Sequence, residues 1–165
     1  MLRSHRIVMR LAQPIPWREA LMEALGLGLF MIVASVCGTI LEFPESAIHR
    51  ALPNAALRRS IMGVVIGLTA IGLAHSPWGR RSGAHLNPAM TWTFFRLDRV
   101  RASVALLYTL AQFSGGLVGC LVVAGVAGHA FLAPPVEGIA TVLRSQGVAF
   151  VAELAISGLL MLVVQ

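Results

Sequence analysis

Four long apolar runs constrain this chain more than any other feature. They cover Ala20 to Leu41, about Arg59 to Ser76, Ala102 to about Ala127, and Gly147 to Val164. In hydrocarbon every backbone amide and carbonyl must find a partner inside the protein, so only helices and closed barrels cross. A helix needs about 20 apolar residues to span, whereas a strand needs about 10. The runs have helical length, so the chain is read as an all-α integral membrane protein with about four transmembrane spans. The composition agrees: 57% of residues are hydrophobic and 12% charged, against about 45–50% and about 25% in soluble domains. A signal peptide has a shorter apolar core, and the first run is long enough to span, so it is read as a transmembrane helix.

The formal net charge is +6. It does not mark nucleic acid as a partner, because the arginines sit at the ends of apolar runs rather than on a basic face interleaved with aromatics. They read as topology signals and headgroup contacts. With a cytoplasmic N-terminus, nine arginines fall on the cytoplasmic side (3, 6, 10, 18, 80, 81, 96, 99 and 101) and four on the other (50, 58, 59 and 144). That balance obeys the positive-inside rule; Arg58 and Arg59 go against it. Cys37 and Cys120 lie inside apolar runs and read as packing residues, not as a disulfide framework.

The most unusual stretch is uncharged and lies between the second and third spans: Ser82-Gly83-Ala84-His85-Leu86-Asn87-Pro88-Ala89. Asn is a strong N-cap and Pro is favoured at the first helical position. A helix is therefore expected from Pro88 through Thr91 and Phe94, stopped by Arg96 and Asp98. It is too short to span, so an extended segment followed by a short helix reads as a re-entrant half-helix. Ser76 to Arg81 is read as a turn. Glu42 to Ser60 and His129 to Gln146 are read as polar connections with proline turn signals.

Met22-Glu23-Ala24-Leu25-Gly26-Leu27-Gly28-Leu29 in the first run is similar to Ala152-Glu153-Leu154-Ala155-Ile156-Ser157-Gly158-Leu159 in the last. By the count of spans the two helices enter from opposite sides, the pattern of an inverted repeat; an equal alternative is that the helix dipole favours a glutamate near any helix N-terminus. A carboxylate within a span costs roughly 2.5–3.5 kcal/mol on insertion scales, so Glu23 and Glu153 should face the protein interior. Gly63 with Gly67, and Gly115 with Gly119, are spaced for close helix crossings.

Ser82 to Ala89, with Met90-Thr91 after it, resembles the first signature of the aquaporin (major intrinsic protein) family. Glu23 lies where that family carries a glutamate in helix 1. Tyr108-Thr109-Leu110-Ala111-Gln112-Phe113-Ser114-Gly115-Gly116 is similar to its helix 3, and Glu153 lies at the second glutamate. The resemblance covers about residues 17 to 165. It implies an aquaporin-like right-handed helical bundle with an inverted repeat, here about four spans plus one re-entrant half-helix. Residues 1–18 would form a cytoplasmic N-terminus and 19–127 the first repeat, with three spans and the Asn-Pro-Ala half-helix. Residues 128–146 would be an extracytoplasmic connecting loop, and 147–165 the fourth span, opening a second repeat. The family's second Asn-Pro-Ala, the arginine after it and spans five and six have no counterpart here, so the chain is read as a truncated piece of a longer channel.

The resemblance also implies roles. Asn87 would donate its side-chain N–H to a passing oxygen, while Pro88 and Ala89 open a half-helix whose positive end faces the pore. The carbonyls of Gly83, Ala84 and His85 would form a ladder of acceptors, and the His85 side chain would pack to fix the loop. Ile66 would lie near the selectivity constriction, with Met62 or Gly63 as alternatives. Glu23, Gln112 and Glu153 would brace the pore loops; for Gln112, helix packing is an equal alternative. No cofactor, metal or catalytic residue is expected.

The expected function is a passive channel for water or glycerol-like small neutral solutes, homotetrameric in full-length form. It would sit in a lipid bilayer, read as a bacterial inner membrane. The alternative is a non-conducting fragment or assembly subunit of such a channel. A hydrolase using Ser82 and His85 ranks last, because no Gly-x-Ser-x-Gly elbow surrounds the serine.

Overall fold

The computed structural model describes residues 15–133. Glu153, the run from 147 to 165 and the second copy of the repeat lie outside the described residues. Within them the fold is all-helical with no strand. The helices are α1 (Trp17–Glu42), α2 (Ala47–Ala51), α3 (Ala55–His75), α4 (Pro77–Ser82), α5 (Pro88–Arg96) and α6 (Ala102–Ala127), and a 3-10 turn at Gly128–Ala130 follows α6.

Three of these helices, α1, α3 and the α6 segment, are long and apolar enough to cross a membrane. At 1.5 Å per residue, α1 and α6 extend about 39 Å and α3 about 32 Å, each enough for a hydrocarbon core of about 30 Å. The interior stripe of α1 is made of small and polar residues, including Ala20, Glu23, Gly26, Gly28, Ser35 and Gly38. Its larger residues Leu21, Leu25 and Leu29 are exposed. This inverts the soluble pattern and is how membrane helices approach closely.

The glycine contacts fix the helix directions. A Cβ on Gly115 would collide with the Ala24 carbonyl oxygen, and one on Gly119 with that of Gly28. A Cβ on Gly28 would lie 2.9 Å from the Gly115 oxygen. Partners advance together along both chains, so α1 and α6 run parallel in backbone contact. The Gly63 and Gly67 pair does not act this way. A Cβ at either position meets nothing within 4 Å among the described residues, because both face outward on α3.

Helix α3 runs antiparallel to α1. Arg58 near its start pairs with Glu42 at the end of α1, and Arg81, just past its end, pairs with Glu19 at the start of α1. Arg58 is buried, with Nη2 3.0 Å from Glu42 Oε2 and Nη1 donating to the Leu52 and Pro53 carbonyls at 2.8 and 3.1 Å. The guanidinium is thus held by a carboxylate and two carbonyls where α1 turns into α3.

Two segments expected to be irregular are helical. Ser76 caps α4 through Gly79 N–H (3.0 Å), Pro77 occupies its first turn, and Gly83 ends it at φ 97°. Ser46 caps α2 in the same way, and its hydroxyl also donates to the Ile40 carbonyl at 2.6 Å. The second span starts at Ala55, earlier than Arg59, because the Asn54 side chain accepts from Ala56 and Leu57 N–H. Cys37 and Cys120 are free, half-buried thiols.

Candidate functional site

The loop from Gly83 to Asn87 enters the bundle beside α1, and α5 leaves it. Asn87 is in extended geometry, and its Oδ1 accepts from Ala89 N–H at 2.8 Å. Pro88 follows at the first helical position, so α5 starts where its caps dictate and runs nine residues to Arg96. The loop tip lies well inside the bundle. A Cβ on Gly26 would stand 2.5 Å from Leu86 Cδ2, and Gly26 is about 14 Å along α1 from Trp17 at 1.5 Å per residue. That is near the middle of a hydrocarbon core of about 30 Å.

The loop backbone is unusual. Gly83, Ala84 and Leu86 have positive φ (97°, 49° and 48°). For a residue with a side chain this costs on the order of 1–3 kcal/mol. Four of the five loop amides are held: Gly83 N–H donates to the Gly79 carbonyl, Ala84 N–H to Ser82 Oγ at 3.2 Å, and His85 and Leu86 N–H to Glu23.

Glu23 is the centre of the arrangement and is wholly buried. Its Oε1 accepts from the Ser82 hydroxyl (2.6 Å) and His85 N–H (3.0 Å), and its Oε2 from Leu86 N–H (2.6 Å) and Gln112 Nε2 (2.9 Å). Four donors fill the acceptor capacity of a carboxylate. Two of them are the consecutive backbone amides of His85 and Leu86, and His85 stands between the positive-φ residues Ala84 and Leu86, so this side chain holds main-chain geometry directly.

A second layer surrounds the clamp. Gln112, also wholly buried, uses its other amide hydrogen on Thr91 Oγ1 at 3.1 Å. Gln112 therefore reaches both Glu23 and α5. His85 is buried, with Nδ1 3.0 Å from Thr91 Oγ1 and its ring against Phe94 and Tyr108, centroids 4.9 and 5.3 Å away. The Tyr108 hydroxyl donates to the Ser82 carbonyl at 3.0 Å.

Asn87, Ala89 and Gly83 are exposed, and Pro88, Ala84 and Ile66 are half-buried. Ile66 lies midway along α3. The geometry has no hydrolytic character: Ser82 donates to Glu23, while the histidine turns its Nδ1 to Thr91. No cluster of three or more metal-ligating side chains exists among the described residues.

Sequence reasoning gave no role to Thr91 or Tyr108, although both lie inside the quoted stretches. A usable signal existed. Tyr108 and Gln112 are polar residues four apart on an apolar helix, hence on one face, and a buried polar group needs a partner.

The comparisons with known proteins agree with one another. Aquaporin-1 of Sus scrofa is 30% identical over 110 residues, which is 67% of this chain and 40% of that protein. Aquaporin-1 of Canis lupus familiaris is 30% identical and that of Homo sapiens 28%, each over 110 residues. The chain thus spans about 40% of the length of the curated relatives it matches. No solved structure matches it significantly. The family described as Major intrinsic protein matches residues 10–165, nearly the whole sequence, and the chain belongs to that family.

Proposed function

We propose that this chain forms a passive membrane pore for water or glycerol-like small neutral solutes. The observation that carries the reading is how the loop divides its polar groups. The amides of Gly83, Ala84, His85 and Leu86 are turned inward to Gly79, Ser82 and Glu23. The carbonyls of Gly83, Ala84 and His85 then remain as acceptors for a molecule in transit. Asn87 complements them. Its oxygen is spent on Ala89 N–H, which leaves the side-chain amide hydrogens as donors at an exposed position. Donors and acceptors along a wall let a neutral solute exchange weak hydrogen bonds and move on. The N-terminal end of α5, with about half a positive charge, opposes cations at the same depth.

In this reading Asn87, Pro88 and Ala89 form the donor tip, and Gly83, Ala84 and His85 the acceptor wall. Ile66 narrows the pore from α3. Glu23 and Gln112 brace the loop, and Glu153 would brace its counterpart. The N-terminus is cytoplasmic, in a bacterial inner membrane, by the arginine distribution and loop lengths. The apolar outer faces of α3 and α6 suit lipid and the packing of four copies. Proteoliposomes carrying the chain should shrink faster than empty ones after an osmotic jump with sucrose, followed by light scattering. Glycerol gradients should separate water-only from polyol passage.

The coverage of only about 40% of Aquaporin-1 favours one second reading, a non-conducting assembly subunit. On that reading the vesicles shrink no faster than empty ones, and the chain co-purifies with a longer channel of its family when both are expressed.

A further inference from the structure

We propose that the Thr91 hydroxyl is a positioning residue that ties the Glu23 clamp to Asn87, and that it does so with His85 as the Nδ1–H tautomer. The proposal rests on the channel reading only for its permeability arm.

Thr91 is wholly buried on the first turn of α5. Its oxygen lies near Gln112 Nε2 (3.1 Å), His85 Nδ1 (3.0 Å) and the Asn87 carbonyl oxygen (3.3 Å). Gln112 Oε1 is farther, at 3.4 Å, and belongs to the amide whose nitrogen already faces the hydroxyl. A hydroxyl has one hydrogen and two lone pairs. One Gln112 amide hydrogen goes to Glu23, so the other fills one lone pair of Thr91. If His85 carries its proton on Nδ1, it donates to the second lone pair. The single Thr91 hydrogen is then free for the Asn87 carbonyl, which also accepts Thr91 N–H at 3.1 Å. All three contacts are satisfied at once. With the proton on Nε2 instead, Thr91 must turn its hydrogen to Nδ1. The Asn87 carbonyl then loses a donor and a lone pair in a closed site stays empty. The first arrangement uses every hydrogen and lone pair of the hydroxyl, and a buried polar group is best left with none unmatched.

The consequence is a continuous chain of hydrogen bonds, Glu23 to Gln112 to Thr91 to the Asn87 carbonyl. Asn87 is thereby held at both ends: its side-chain oxygen by Ala89 N–H and its carbonyl by Thr91.

The test compares wild type, Thr91→Val and Thr91→Ser, using the full 165-residue chain in lipid bilayers, with 15N NMR of the histidine rings and the asparagine side-chain amides. In wild type, His85 should show a protonated Nδ1 and a bare Nε2; the opposite tautomer overturns the proposal, and this arm needs no variant to fold. Thr91→Val should move both the His85 and Asn87 signals, and Thr91→Ser should return them. Unmoved signals in the valine variant, or no return in the serine variant, also overturn it. In osmotic assays the valine variant should be about fivefold slower, the worth of one ordinary hydrogen bond, with the serine variant within about twofold of wild type. A wild type that does not conduct defeats the channel reading by itself, and the NMR comparison still decides the role of Thr91.

Discussion

The two ends of α1 each shelter a glutamate, and they satisfy it in opposite ways. Glu23 near the start receives a hydroxyl, two backbone amides and a carboxamide. Glu42 at the other end receives a guanidinium, with Arg58 Nε at 3.4 Å and Nη2 at 3.0 Å. A guanidinium fixes the distance between two helix ends. Backbone amides, accepted one after another, fix φ and ψ between them. The first carboxylate therefore specifies the shape of a loop, and the second joins α1 to α3 without shaping either. On the proposed pore reading, only the first should matter to permeability.

The most severe way to break this contrast is Glu23→Gln. An amide supplies one acceptor oxygen where the carboxylate supplies two, and its NH2 would face donors. Each buried donor left unmatched costs about 1–3 kcal/mol, and Ala84 and Leu86 lose what holds them at positive φ. Osmotic permeability of reconstituted protein should fall to that of empty vesicles. If the variant kept more than half the wild-type rate, Glu23 would not be what holds the loop.

Arg58→Ala should affect stability instead. Removing one partner of a fully buried pair costs about 3–5 kcal/mol. Here the Glu42 side chain keeps 16% exposure, so a loss of about 2 kcal/mol is expected. It should be read as a lower unfolding temperature in detergent, while permeability per folded molecule stays unchanged. A permeability loss matching that of Glu23→Gln would erase the distinction between the two ends.

Why one end was legible in the sequence and the other was not follows from the range of the signals. Asn87-Pro88 announces a helix start with two adjacent residues, and α5 begins there. Ser76-Pro77 carries the same signal, yet the following Gly79, Arg80 and Arg81 suggested a turn; the left-handed Gly83 that closes α4 shows only in the backbone. The three spans were readable because apolar length is a local property. The pairing of Glu42 with Arg58 joins positions 16 apart across a reversal, and local patterning carries no trace of it. Gly63 and Gly67 show the converse: the spacing that brings Gly115 and Gly119 against α1 is present, but nothing packs on that face among the described residues. Spacing says that a crossing is allowed, and only the arrangement of helices says that one is made.

The finest test uses a third carboxylate on the same helix. Glu19 lies one turn before Glu23, four residues away and so on the same side of α1. It meets Arg81 Nε at 3.1 Å, with the arginine side chain 52% exposed. Glu19 thus shares the helix and the face of Glu23 and the partner type of Glu42, and its pair differs in the water that reaches the arginine, 52% exposed against 8% for Arg58. Exposed pairs lose most of their attraction to hydration and salt. Arg81→Gln should leave both unfolding temperature and permeability at wild-type values at about 0.15 M salt, where screening acts over about 8 Å. Any effect should appear only at low ionic strength. An unfolding shift at physiological salt as large as that of Arg58→Ala would mean that the guanidinium itself, and not its burial, sets the worth of the pair at the far end. The contrast between the two ends of α1 would then be one of partner chemistry alone.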